Sequence, residues 1–329
     1  MRFLWRALFV CTILGLVAAV GALAYAQWWF ETEGDLPEET TVLIAPGTGF
    51  SSITQTLTEA GVINQPLLFK GMVVLQDKQK AMKAGEYLFP AHVSPKAVME
   101  RLAKGESITY SVTIPEGWTV EEIKQLLLRN DRLTGDVPPM REGYVMPDTY
   151  HFHRDESREA MVGRMQAHMQ EAIDALWPKR ADGLPFDTPH EALVLASIVE
   201  KETGLDQERG RVAAVFVNRL RKGMPLQSDP TVIYGIEKAS GEPLGRPLWR
   251  KDLKIDHPYN TYVHAGLPPR PIANPGRAAL EAVLNPPSTN EYYFVATGTG
   301  GHHFARTLAE HNRNVAKYKA ELRRQKAAQ

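Results

Sequence analysis

The sequence predicts an α+β protein in three parts: an N-terminal transmembrane helix, a small α+β module and a larger mixed α+β domain. Three observations carry this reading. An uncharged run opens the chain, strand-like and helix-like segments then alternate at short spacing, and the second half centres on an almost wholly apolar helical segment. A length of 329 residues exceeds a single domain of roughly 100–200 residues. The parts read as residues 1–30, 40–137 and 138–329. With 43 % apolar and 23 % charged residues the chain has material for a core and is not disordered. Lys plus Arg equals Asp plus Glu at 38 each, so no bulk charge recruits nucleic acid. Cys11 is the single cysteine, which excludes an intramolecular disulfide and a cysteine-based metal cluster.

The run from Ala7 to Ala26 carries no charge, and as a helix it spans about 30 Å, the thickness of a bilayer core. Arg2 and Arg6 precede it; Glu31, Glu33, Asp35, Glu38 and Glu39 follow, with no Lys or Arg before Lys70. The positive-inside rule then puts the N-terminus in the cytoplasm and the bulk of the chain outside it. Trp5 at one end and Trp28-Trp29-Phe30 at the other read as interfacial anchors. Ala24-Tyr25-Ala26 also fits a signal-peptide cleavage site. The length of the run and its aromatic flanks favour a retained anchor.

In the small module, Thr41 to Ile44 reads as a strand and Pro46-Gly47-Thr48-Gly49 as a turn. Ser51 and Ser52 are candidate caps for a helix carrying Ile53 and Leu57, stopped by Gly61. A second helix starts after Asn64 with Pro66 in its first turn. Gly85 to Phe89 reads as a strand, and Ser94-Pro95 opens a helix ending near Gly105. Tyr110, Val112 and Ile114 alternate as a strand does, and Thr119 with Glu122 forms a capping box. The proline-containing stretch from Asp136 to Arg141 reads as the domain boundary.

In the larger domain, Thr188-Pro189-His190-Glu191 supplies an N-cap, a first-turn proline and a capping-box glutamate. The residues from Ala192 to Val199 are nearly all apolar, so this helix belongs inside the domain. Glu200 and Glu202 arrive at its C-terminal end, where the helix dipole and burial both disfavour negative charge. Both effects raise a carboxyl pKa, as a general acid near neutral pH requires. The helical wheel places the two glutamates on opposite flanks of the apolar stripe and does not choose between them. A half-exposed carboxylate paired to Arg209 or Arg211 is the structural alternative.

Beyond this helix, Asp206 reads as the cap of the next one, which carries Val212, Val215, Phe216 and Leu220 and closes at Gly223. Asp229-Pro230 reads as another cap and first-turn proline. Gln227, Ser228, Thr231, Tyr234, Tyr259, Asn260, Thr261 and Tyr262, with the prolines from Pro268 to Pro275, suit a groove for a neutral, hydroxyl-rich ligand; ordinary turns have the same composition. No metal is expected: His151, His153, His302 and His303 have no cysteine to assist them, and no H-E-x-x-H occurs. No G-x-S-x-G occurs either. The stretch from Leu308 to Leu322 reads as a packed helix with a charged outer face.

Several of these segments together resemble the endolytic murein transglycosylases, membrane-anchored enzymes that cut nascent peptidoglycan glycan strands. The matching segments run in order: Val112 to Trp118 (VTIPEGW), Glu142 to Phe152 (EGYVMPDTYHF), Leu195 to Thr203 (LASIVEKET), Leu226 to Gly235 (LQSDPTVIYG), Tyr259 to Tyr262 (YNTY) and Gly266 to Gly276 (GLPPRPIANPG). Tyr292 to Val295 and Gly300 to Phe304 complete the set. The resemblance implies that the small module is a LysM-like peptidoglycan-binding domain and that the catalytic glutamate is Glu200. It also puts Gln227, Ser228, Tyr259, Asn260 and Thr261 in segments expected to wall the groove. Arg270 replaces a glycine of the family pattern, and no role is assigned to it.

The implied reaction is non-hydrolytic and needs no cofactor. Protonated Glu200 gives its proton to the oxygen between N-acetylmuramic acid and N-acetylglucosamine, then takes one from the muramic C6 hydroxyl, which closes on C1 to a 1,6-anhydro end. The partners implied are glycan strands, the inner membrane through the N-terminal helix, and peptidoglycan synthases; none is a nucleic acid. Two alternatives stand beside this reading. One is a non-catalytic scaffold, which needs no acid at Glu200. The other is a hydrolytic muramidase, in which Glu202 or Asp229 would be the second carboxylate.

Overall fold

The computed structural model describes residues 2–327. It is a mixed α+β protein and divides into two compact units, Met1–Tyr110 with His151–Glu156, and Ser111–Tyr150 with Ser157–Gln329. The stretch from Asp136 to Arg141 lies inside the second of these.

The first unit opens with α1 (Arg2–Glu31), which contains the apolar run. Among the described residues it is the one helix long and apolar enough to cross a membrane, which is compatible with a single-pass anchor. At 30 residues it is about 45 Å long, more than a bilayer core needs. The surplus explains a correction. Trp28 is exposed, but Trp29 and Phe30 are buried in the core of the first unit, with Ala26 beside them. Phe30 lies 6.3 Å from Phe69, ring to ring, and Glu31 pairs with Lys96 at 3.1 Å. Two of the three aromatics expected as interfacial anchors at this end of α1 therefore fix its last turn to its own module.

The rest of the unit follows as β1 (Thr40–Ile44), α2 (Phe50–Glu59), α3 (Pro66–Leu75), β2 (Gly85–Phe89) and α4 (Pro95–Lys104). The strands β1 and β2 pair antiparallel, Thr40 against Phe89 and Ile44 against Gly85. Val42 and Ile44 of β1, with Tyr87 and Phe89 of β2, turn onto Leu57, Phe69 and Leu102. Ser94 caps α4 through its side chain, and Gly105 closes it in the left-handed region at φ 77°. Ser51 and Ser52 do not cap α2. The chain turns helical at Phe50, with Gly49 at the N-cap, so both serines lie within the first turn.

The second unit is mainly helical. Along the chain β3 (Thr109–Thr113), α5 (Val120–Arg129), β4 (Leu133–Thr134), β5 (Thr149–His153) and β6 (Glu156–Ser157) lead into α6 (Arg158–Leu176), and β3, β5 and β6 each span a bound between the units. Then come α7 (Pro189–Glu202), α8 (Asp206–Arg221), α9 (Asp229–Ser240), α10 (Arg277–Leu284), β7 (Tyr293–Ala296), β8 (His302–Ala305) and α11 (Leu308–Ala327). The apolar segment is α7, and every residue from Ala192 to Val199 is buried. It packs on α8 and α10, joining Val212, Phe216, Leu280 and Val283 in one core. Strands β7 and β8 form an antiparallel hairpin that α11 covers. No described residue of α11 is fully buried, so its apolar stripe only rests on the hairpin.

Two expected caps fall one residue away. The helix α8 begins at Asp206, so Asp206 is its first residue, and its carboxylate binds Arg209 at 2.5 Å. Similarly Asp229 is the first residue of α9, and Ser228 occupies the N-cap.

Candidate active site

The site is built on the end of α7, and one loop runs along that helix from end to end. Near the start, His190 Nε2 is 3.3 Å from the carbonyl of Pro269. Midway, the Ile272 N–H donates to Ser197 Oγ at 3.0 Å, and that hydroxyl donates to Val194 O. At the end, the Gly276 N–H donates to Glu200 Oε2 at 2.8 Å. The proline-rich loop of residues 266–276 is thus registered against α7 at three points, and the last is the carboxyl of interest.

Glu200 is half-buried, and burial is the main cause that pushes its pKa above the usual carboxylate value. Against this, the Gly276 N–H favours the carboxylate, as does the charge of Arg209; Glu116 and Asp206 act with burial. Gly276 is the N-cap of α10, so the carboxyl sits at the end of one helix and the start of another, whose dipoles act on it with opposite sign. Burial decides the direction.

The approach to Glu200 is completed by the turn from Ile114 to Trp118. Gly117 N–H donates to Asn274 O, and Asn274 N–H donates to Trp118 O, both at 2.9 Å. Gly117 lies at φ 75°, and Lys201 Nζ donates to its carbonyl at 3.2 Å. Glu116 stands directly over Gly276, where it occupies the place a Cβ would take.

Asn274 is fully buried and acts as a clamp. Its Oδ1 accepts from Val145 N–H at 3.0 Å, while Nδ2 donates to Trp118 O at 2.9 Å and to Glu142 Oε1 at 3.0 Å. The same Glu142 oxygen accepts from Val120 N–H, and its other oxygen accepts from the Tyr234 hydroxyl at 3.3 Å. Burial pushes the Glu142 pKa up to about 7, against the pull of these donors and of Lys238.

Sequence reasoning did not single out Glu116 or Glu142 individually. Each immediately precedes a glycine with positive φ, Gly117 at 75° and Gly143 at 83°. A carboxylate fixed beside such a turn was the available signal.

The expected groove residues form a second cluster, and most are interior. Ser228 is buried and donates to Glu202 Oε1 at 2.5 Å. Thr261 accepts from Ser228 N–H through Oγ1 and lies 2.8 Å from Thr231 Oγ1. The Asn260 amide donates to Leu253 O and Ile255 O, holding its own loop. Tyr259 packs against Tyr234 at 4.9 Å and His257 at 5.7 Å. Of the five, Gln227 alone is exposed, in the left-handed region at φ 53° with its N–H bonded to Thr261 O. Arg270 is exposed.

Glu202, the other candidate acid, is held beneath this cluster, and burial pushes its pKa up to about 7. Asp229 accepts from the Tyr262 hydroxyl at 2.6 Å. Among the described residues no group of three or more His, Cys, Asp or Glu is arranged to hold a metal ion.

The chain matches the YceG-like family over residues 42–317. It is 31 % identical to a protein of Bacillus subtilis named endolytic murein transglycosylase, over 91 % of this chain and 90 % of that one. A protein of the same name from Streptococcus pneumoniae is 28 % identical, over 94 % of this chain and 65 % of its own length. A crystal structure of a YceG-like protein from Listeria monocytogenes is 31 % identical, covering 84 % of this chain and 98 % of that one, with a TM-score of 0.52.

Proposed function

The chain belongs to the YceG-like family, and on that premise we propose that it is an endolytic murein transglycosylase with Glu200 as its one acid and base. The observation that carries the reading is the half-buried Glu200 carboxyl with one oxygen tied to the Gly276 N–H at 2.8 Å. That bond occupies Oε2 and leaves Oε1 to carry the proton. Burial favours the acid form that must donate. The N–H stabilises the carboxylate that remains after donation and must then accept.

The reaction follows in two proton transfers. Glu200 protonates the glycosidic oxygen between N-acetylmuramic acid and N-acetylglucosamine as the C1–O bond breaks. The carboxylate then removes the proton of the muramic C6 hydroxyl, whose oxygen bonds to C1. The products are a 1,6-anhydromuramic end and a free N-acetylglucosamine hydroxyl, and Glu200 is protonated again. Because the nucleophile is tethered, effective molarity replaces the second catalytic group a hydrolase needs.

A hydrolytic muramidase would need a carboxylate free to activate water. Glu202 and Asp229 each accept a hydrogen bond, from Ser228 and Tyr262, which speaks against either of these two as the water-activating base. Ser228, Tyr259, Asn260 and Thr261 act here as a buried frame for the groove, with Gln227 as its exposed member. The order β1-α2-α3-β2 supports a LysM-like, glycan-binding small module. The apolar α1 supports tethering to the membrane near newly made strands, with peptidoglycan synthases as expected neighbours. The test is Glu200→Gln in the full chain: it keeps glycan binding and loses cleavage. Unaltered cleavage by that variant rules the assignment out, and a chain that binds without any turnover is the scaffold.

A further inference from the structure

The VTIPEGW segment contributes Glu116, which the proposed reaction leaves without a task. Glu116 and Glu200 approach the start of α10 from two different parts of the chain. Glu200 Oε2 accepts from Gly276 N–H at 2.8 Å, and the Glu116 carboxylate fills the space where a Gly276 Cβ would stand. Standard backbone geometry across Gly276 then puts the two carboxylates within about 7 Å of each other. Glycine is required at 276 for this approach and not for its backbone angles, since φ is −73° and ψ 167°, which any residue adopts.

The geometry points to Glu116 as a positioning residue for the Glu200 proton transfer: its negative charge, held over Gly276, disfavours ionisation of Glu200 and keeps the proton in place until a glycosidic oxygen takes it. The inference rests on reading Glu200 as the acid, but the coupling itself exists without turnover. Other charges face Glu200 as well. From α8, Arg209 opposes Glu116 and Asp206 acts with it, while the Gly276 N–H favours the carboxylate. Lys201, on α7 itself, is drawn to the Gly117 carbonyl. Glu116 ranks above Asp206 among the charges that oppose ionisation, and Asp206 is itself paired to Arg209 at 2.5 Å. A charge at such a distance in a half-buried site has the strength to move a carboxyl titration measurably.

The experiment is a carbon-13 NMR titration of the full chain in detergent micelles, labelled at the glutamate carboxyl carbon. Glu200→Gln assigns the Glu200 signal. In Glu116→Gln the Glu200 midpoint moves to lower pH by about half a unit or more. Gly276→Ala gives a shift in the same direction by a separate route, because the new methyl displaces the Glu116 side chain while keeping the N–H. Glu116→Asp restores part of the shift. With glycan strands, the alkaline limb of the Glu116→Gln rate profile moves down by the same amount. Superimposed Glu200 titrations in the parent and Glu116→Gln overturn the proposal. So does loss of cleavage at every pH with an unmoved midpoint, since Glu116 would then act on the substrate directly. A parent chain that shows the shift but never cleaves leaves the coupling standing and removes the assigned reaction instead.

Discussion

Gly276 and Glu200 are joined by one hydrogen bond of 2.8 Å that links the start of α10 to the end of α7. It distinguishes the two oxygens of one carboxyl, Oε2 being fixed by backbone, and in the proposed reaction Oε1 holds the proton. It also sets two opposing influences on the group, burial favouring the acid and the N–H favouring the carboxylate. A residue that must first give a proton and then take one is served by that balance.

Replacing Glu200 by Gln removes the transferable proton while keeping shape and the bond from Gly276. Cleavage of purified glycan strands is expected to fall by at least about 100-fold. Affinity measured by co-sedimentation with the same strands stays near that of the parent chain.

With Glu200 as the proposed acid, the direction of its shift sets the expected pH dependence of turnover. Its pKa is raised, so the acid form persists to higher pH than for an ordinary glutamate. The turnover rate therefore holds through the usual carboxylate range and falls as pH rises through the raised value. A rate profile read between pH 4 and 9 that declines already at about the ordinary glutamate value of 4.3 contradicts this.

Stability carries a related signature at Glu142. Its pKa rises from 4.5 to about 7 on folding, so the native state binds more protons than the unfolded chain in that interval. The stabilisation is full below 4.5 and is lost as pH rises through about 7. Thermal unfolding of the second unit is expected at lower temperature at pH 8 than at pH 5. Glu142→Gln flattens the dependence over the same window, although Glu202, shifted likewise, retains a share of it.

Asn274 clamps three segments through one buried amide. Asn274→Ala leaves Val145 N–H, Trp118 O and a Glu142 oxygen short of partners and is expected to cost about 2–4 kcal/mol in denaturant unfolding. Because Gly276 lies two residues on, the rate falls as well; full activity with lowered stability would separate clamp from site.

Phe30→Ala opens a cavity against Phe69 and is expected to destabilise the first unit by about 3–5 kcal/mol. Trp28→Ala, at an exposed position of the same helix turn, leaves that stability unchanged in limited proteolysis.

Much of this was legible in the residues themselves. The capping boxes at Thr119 and Thr188, the strand from Gly85 to Phe89 and the burial of residues 192–199 follow from local rules of polarity and hydrogen bonding. Pattern alone failed where two segments distant in sequence meet. A helical wheel places Glu200 and Glu202 on the flanks of α7 but contains neither Gly276 nor Ser228, the partners that distinguish them. Asn274 read as a turn residue, since its three side-chain partners lie more than a hundred positions away. Trp29 and Phe30 read as interfacial because their composition suits a membrane edge, and only the packing of α3 and α4 shows them to be core.

The most direct test of the account is mass analysis of glycan strands after incubation with the full chain in detergent, with Glu200→Gln as the control. The account predicts new ends lighter by one water than hydrolysed ends, the mass of 1,6-anhydromuramic acid, and none from the variant. Reducing muramic ends, or cleavage that survives in Glu200→Gln, would contradict it.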